Sequence, residues 1–188
     1  MRALFVNESL NGGSASGSPI EQISLGQFTS TANQAPTGTG LANAITLNFG
    51  VGGSTSGGEF TIAANGEIGC NMNSIQYNFE MIMRVARDGS SGVAEVMARM
   101  LYADKGNEFV QVGGTFGARI DSDDTVWFES FSINFSPAIN SKIKFEIARN
   151  NGANDQGVVG TFQPAGDFVG AWNAINAVSL NISKTVVQ

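Results

Sequence analysis

The sequence predicts an all-β protein, an antiparallel β-sandwich of about nine to ten strands. Three observations carry this expectation. Apolar residues recur at every second position in several separate runs, the pattern of a half-buried strand. These runs are separated by Gly, Ser, Asn and Asp clusters, and 24 glycines stand where average usage would give about 13. No segment sustains a helical period, and only 14% of residues are charged, against roughly 25% in an ordinary soluble domain.

Taken in chain order, residues 1–26 read as an N-terminal arm. "NGGSASGSP" has the composition of a flexible linker and separates Leu4, Phe5 and Val6 from Ile20, Ile23 and Leu25. Those six apolar residues are the candidate anchors of the arm, and residues 27–188 form the expected domain. "NAITLNF" is a strand with Ile45, Leu47 and Phe49 on one face, and "EFTIAANGEIG" adds Phe60 and Ile62 before turning at Asn65-Gly66. The longest run, "SIQYNFEMIMRVARDG", places Ile75, Tyr77, Phe79, Met81, Met83 and Val85 together and predicts a hairpin turn at Asp88-Gly89.

The return stretch "GVAEVMARMLYADKG" alternates at Val96, Ala98, Met100 and Tyr102, although Ala, Glu, Met and Arg also suit a helix. Its place after a hairpin turn favours a strand. "EFVQVGGTFGARID" reads as a strand interrupted by Gly113-Gly114. "DTVWFESFSINF" groups Trp127, Phe131, Ile133 and Phe135, and "SKIKFEIARN" groups Ile143, Phe145 and Ile147. A turn-rich link holds one short strand near Val158 to Phe162, and "AVSLNISKTV" closes the chain with Val178, Leu180 and Ile182 inward.

Composition also narrows the function. The net charge of −6, with 10 Lys plus Arg and no basic cluster, argues against a nucleic-acid groove, where cations must neutralise phosphates. There is no histidine and a single cysteine, Cys70. That removes the usual general base of hydrolases, a structural zinc site and an internal disulfide. No stretch is long and apolar enough for a signal sequence or a bilayer span, so a soluble, intracellularly made product without membrane partners is expected.

Two motifs invite chemistry. "TGTGLAN" has the first two glycines of a dinucleotide loop, Gly38 and Gly40, but Asn43 occupies the third place and a strand follows instead of a helix. It reads as a flexible bend. Asp121, Asp123 and Asp124 could offer oxygen ligands to calcium, yet the glycine and the downstream Glu of an EF-hand loop are missing; a solvated turn is the simpler reading. No cofactor and no enzymatic activity are expected.

The order of these runs resembles the jelly-roll domains of the complement-globular-head and tumour-necrosis-factor-like type found in bacteriophage virion proteins. The resemblance rests on "QFTSTANQ", "AITLNF", the turn carrying Ile62, Asn65 and Gly66, and the closing Ala177, Ser179, Leu180, Ile182 and Lys184. It departs at Glu67-Ile68-Gly69, where the family places an aromatic. The resemblance implies a jelly roll and a homotrimer, with the last strand near the threefold axis. It further implies a place in the virion, as a capsid decoration (cement) protein bound to the major capsid protein. The alternative is the tip of a fibre that binds a host receptor.

Overall fold

A computed structural model describes residues 20–72, 76–86, 93–121, 126–150, 160–161 and 176–187, with backbone alone for 20, 126–128, 160–161 and 187. Its strands are β1 (Ile20–Ser30), β2 (Ile45–Thr46), β3 (Gly53–Ser54), β4 (Phe60–Ile62), β5 (Ile68–Cys70), β6 (Tyr77–Ala86) and β7 (Ala94–Ala103). The remainder are β8 (Val110–Ile120), β9 (Val126–Phe135), β10 (Lys142–Arg149), β11 (Gly160–Thr161) and β12 (Val178–Val187). All their pairings are antiparallel.

The strands form two sheets. In the first, β12 lies between β1 and β6, while β9 and the short β11 also pair with β6. The second runs β3-β4-β5-β10-β7-β8, with β2 beside β10. The chain changes sheet after β1, β5, β6, β8, β9 and β10. Repeated crossing of this kind wraps the two sheets around one core, and the result is a jelly roll.

Period-two patterning decides which residues fill that core. On β6, Tyr77, Phe79, Met81, Met83 and Val85 are all buried, and on β10 so are Ile143, Phe145 and Ile147. Val178, Leu180 and Ile182 of β12 meet them from the first sheet. Phe60 of β4 packs edge-on to Tyr77 at 4.7 Å and to Phe79 at 5.4 Å, which ties the sheets together. Such aromatic pairs add about 1 kcal/mol beyond area burial. Phe131 and Ile133 are buried as the sequence predicts; the Ile75 and Trp127 side chains lie outside the described residues.

Several local expectations need correction. The residues before 27 are not all arm: β1 starts at Ile20 and pairs along its length with β12, from Ile20 opposite Val187 to Ser30 opposite Val178. Strand and sheet thus cross the expected boundary at Gly26, because Ile23 and Leu25 supply apolar contacts to the core. Nor do β6 and β7 form a hairpin. They belong to different sheets, since the inward faces of both strands must meet across the core; Asp88-Gly89 itself lies outside the described residues.

The "AITLNF" strand is shorter than its pattern. Ladder structure stops at Thr46, though Leu47 and Phe49 remain buried and the Leu47 N–H still donates to the Phe145 carbonyl at 2.8 Å. Asn48 diverts the chain: its amide donates to the Ala64 carbonyl and its Oδ1 accepts from the Gly50 N–H at 2.7 Å. The Asn65-Gly66 turn holds. Gly66 has φ +85°, and a Cβ there would lie 1.9 Å from the Leu47 carbonyl oxygen, so glycine is required.

Gly113-Gly114 does not interrupt its strand. β8 is continuous, and Ala98 opposite Phe116 is followed by Met100 opposite Val112. Two extra residues on β8 therefore bulge away from β7 opposite Arg99.

Candidate functional site

The outer face of the first sheet is built from the residues that alternate with its core set. Register brings them into rows that cross β1, β12, β6 and β9. Ser24, Ser183, Asn78 and Asn134 form one row; Gln27, Asn181, Glu80 and Ser132 the next; Thr29, Ser179, Ile82 and Ser130 the third. Of these twelve residues only Glu80 is charged, and only Ile82 is aliphatic. Hydrogen bonds link neighbours across the strands: Asn181 donates to Glu80 at 2.9 Å, Asn78 to Asn134 at 3.2 Å, and Gln22 to Ser183 at 3.0 Å.

The outer face of the second sheet is charged. Glu146 on β10 lies opposite Arg99 on β7. Its Oε2 accepts from Arg99 Nε at 3.1 Å and Nη2 at 2.8 Å, while Lys144 reaches Oε1 at 2.7 Å. Burial pushes the Glu146 carboxyl up, but hydrogen bonds from Lys144 and Arg99 outweigh it and hold the group below its ordinary range. Lys144 also stands 4.6 Å over the Phe109 ring. Beside this network the β8 bulge opens a groove of about 170 Å³. Leu41, Ala44, Met97 and Ala148 contribute to its lining, with Arg99, Gln111 and Thr115 among the polar residues.

A third polar cluster lies between the sheets. Gly57 and Gly58, at φ +80° and +69°, turn the chain ahead of β4 and aim Glu59 inward. The Glu59 carboxylate receives the Tyr77 hydroxyl at 2.7 Å and an ion pair from Lys184. Lys184 is opposite Tyr77 on β12, in the inward row of that sheet, which explains why a lysine points into the sandwich. Burial raises the Glu59 pKa, yet the bonds from Lys184 and Tyr77 prevail and lower it. Burial and the hydrogen bond to Glu59 push the Tyr77 phenol upward. Burial likewise raises the nearby Cys70 thiol, a property of an inert structural cysteine.

The residues singled out by sequence fare differently. Asp121 is exposed and pairs with Arg119 at 2.9 Å; Asp123 and Asp124 lie outside the described residues. Leu4, Phe5 and Val6 also lie outside them. Leu25 is 5% exposed within the core and Ile23 packs against it, so these two are sheet residues and not available as anchors; Ile20 opens the same strand. "TGTG" is no loose bend. Thr39 bridges Arg149, the Gly40 N–H donates to the Arg149 carbonyl at 2.9 Å, and a single turn, Leu41–Asn43, follows. That turn is too short to present a phosphate site.

Sequence reasoning missed the Arg99–Lys144–Glu146 network, the groove and the Glu59 cluster. Only the break at Gly113-Gly114 pointed toward one of them. Among the described residues, no helix is long and apolar enough to cross a membrane. No family model and no curated protein matches the chain. Among solved structures it is similar to the globular domain of zebrafish complement 1qA protein, at 14% identity over 89% of this chain and 96% of that one, with a TM-score of 0.46.

Proposed function

We propose that this jelly roll is a non-catalytic assembly module, a homotrimeric virion protein that decorates and stabilises a bacteriophage capsid. The observation that carries the assembly reading is the outer face of the first sheet. Amides and hydroxyls both donate and accept, so such a face can pair with copies of itself. Burying it desolvates a single charge, Glu80, whose carboxylate Asn181 already hydrogen-bonds. Desolvating charges is costly, and interface cores are depleted in charge for this reason. The sequence resemblance supplies the threefold arrangement, the virion location and the major capsid protein as partner. β12 then lies near the axis, contributing Asn181 and Ser183.

In this reading residues 1–19 are the capsid-binding arm, with Leu4, Phe5 and Val6 as its apolar anchors. Three arms on one trimer multiply a weak contact through effective concentration. Light scattering is expected to return roughly three times the 19.6 kDa chain mass. Ser183→Lys, which sets a cation in a row that holds no charged residue, is expected to yield folded monomers. A monomeric parent chain overturns the trimer. Deletion of residues 1–19 is expected to leave the trimer intact while abolishing cosedimentation with capsids. Persistence of cosedimentation overturns the role of the arm, and blocked adsorption of phage by free protein transfers the assignment to a receptor-binding tip.

A further inference from the structure

We propose that the groove beside Arg99 is a binding site for a small carboxylate that carries one compact apolar group. The groove exists because of β8. Two residues more than β7 requires are accommodated at Gly113–Thr115, and the strand stands off from Arg99 there. Leu41, from the turn after "TGTG", overhangs the opening and is 62% exposed. The groove's volume of about 170 Å³ is comparable to an apolar cavity of about 150 Å³ that accepts benzene. It therefore suits one ring or one short branched chain.

The polar end of the ligand follows from hydrogen-bond bookkeeping around Glu146. Both carboxylate oxygens are already taken, Oε1 by Lys144 and Oε2 by two N–H groups of Arg99. A guanidinium carries five N–H donors, and the other three of Arg99 have no partner among the described residues. The unused charged capacity at the groove is thus the donor edge of Arg99, since the only charged acceptor there, Glu146, already holds three N–H groups of its own. The charged lining residues are Arg99 and Glu146. Lys144, which is not part of the lining, offsets the same carboxylate on its other oxygen, so the Glu146 charge does not oppose an anion bound at Arg99. A single planar guanidinium edge matches a carboxylate, whereas a phosphate dianion would call for more cationic partners than this rim holds.

The test is a titration of the isotope-labelled full chain, followed by backbone amide shifts, with benzoate as the probe. Benzyl alcohol and benzylamine serve as the neutral and cationic counterparts. Benzoate is expected to saturate with a Kd on the order of 1 mM, shifting the amides of Ala98, Thr115 and Ala148, and benzyl alcohol to bind about tenfold more weakly. Arg99→Gln is expected to remove that tenfold preference while leaving weak benzyl alcohol binding. Ala44→Leu, which fills the groove without touching the ion network, is expected to abolish both. Equal binding of benzoate and benzyl alcohol overturns the proposal. Tighter binding of benzylamine does so too, as do shifts confined to another surface or benzoate binding undiminished in Ala44→Leu.

Discussion

Glu59 and Glu146 are both buried carboxylates, 6% and 8% exposed, each paired with a lysine and each held below its ordinary pKa. They nevertheless belong to different kinds of environment. Glu59 sits between the sheets and joins the approach to β4 with Lys184 and Tyr77 of the opposite sheet. Glu146 sits on an outer face, where its partners come from its own strand and the adjacent β7. The first is a staple whose surroundings are filled by Phe60 and Tyr77. The second borders open space and leaves donors over. Burial and pKa alone do not separate structure from site; the unused hydrogen-bond capacity and the adjoining volume do.

The sharpest way to break this comparison is to neutralise each carboxylate in turn. Glu59→Gln leaves the Lys184 ammonium largely buried with no anion, a change expected to destabilise by about 3 kcal/mol. Glu146→Gln is expected to lose less, about 1 to 2 kcal/mol, because Arg99 and Lys144 stand on the outer face of one sheet and can swing toward water, whereas Lys184, although similarly shielded, points between the sheets. Chemical denaturation of both variants checks the order. Equal losses would show that the inter-sheet position of Glu59 has no special weight.

This asymmetry also explains what could be read from sequence. The core was legible because alternation is local: Tyr77 to Val85 and Ile143 to Ile147 declare their inward faces within one strand. The Asn65-Gly66 turn was legible for the same reason, since its geometry is confined to four residues. Glu59 and Lys184 are 125 residues apart, and neither carries a mark that says it points inward. Sheet membership was equally hidden. Asp88-Gly89 reads as a hairpin, but whether β7 returns beside β6 or crosses to the other sheet depends on partners far along the chain. The three polar rows exist only once register is fixed among four strands. The arm is shorter than its composition suggests because Gly26, which looks like the end of a linker, pairs with Ile182, and the register shift falls just before it, at Leu25.

A smaller test isolates the hydroxyl of the staple. Tyr77→Phe keeps the ring that packs on Phe60 and Phe79 and removes the donor to Glu59. A hydrogen bond to a charged group contributes about 1.5 to 3 kcal/mol; the lower end is expected here, since Lys184 remains to hold the carboxylate. The double variant Glu59→Gln with Tyr77→Phe should then lose less than the sum of the single losses. Strict additivity would mean that the two residues do not act through one contact.

The smallest expected effect is a pH dependence, and its sign follows from the direction of the shifts. An unfolded Glu titrates at about pH 4.3, whereas Glu59 and Glu146 in the fold hold their charge to lower pH. Between the folded and unfolded values the unfolded chain binds more protons, so stability rises with pH across that window and is complete above it. Acidification from about pH 5 through the folded values should therefore lower the Tm progressively. Each Gln variant lacks one contributor, so its Tm should fall less steeply and approach that of the parent chain in acid. The flattening should be greater for Glu59→Gln than for Glu146→Gln if the inter-sheet pair is the stronger. A variant curve that stays parallel to the parent throughout would mean that the carboxylate in question stabilises the fold no more in its charged form than in its neutral form.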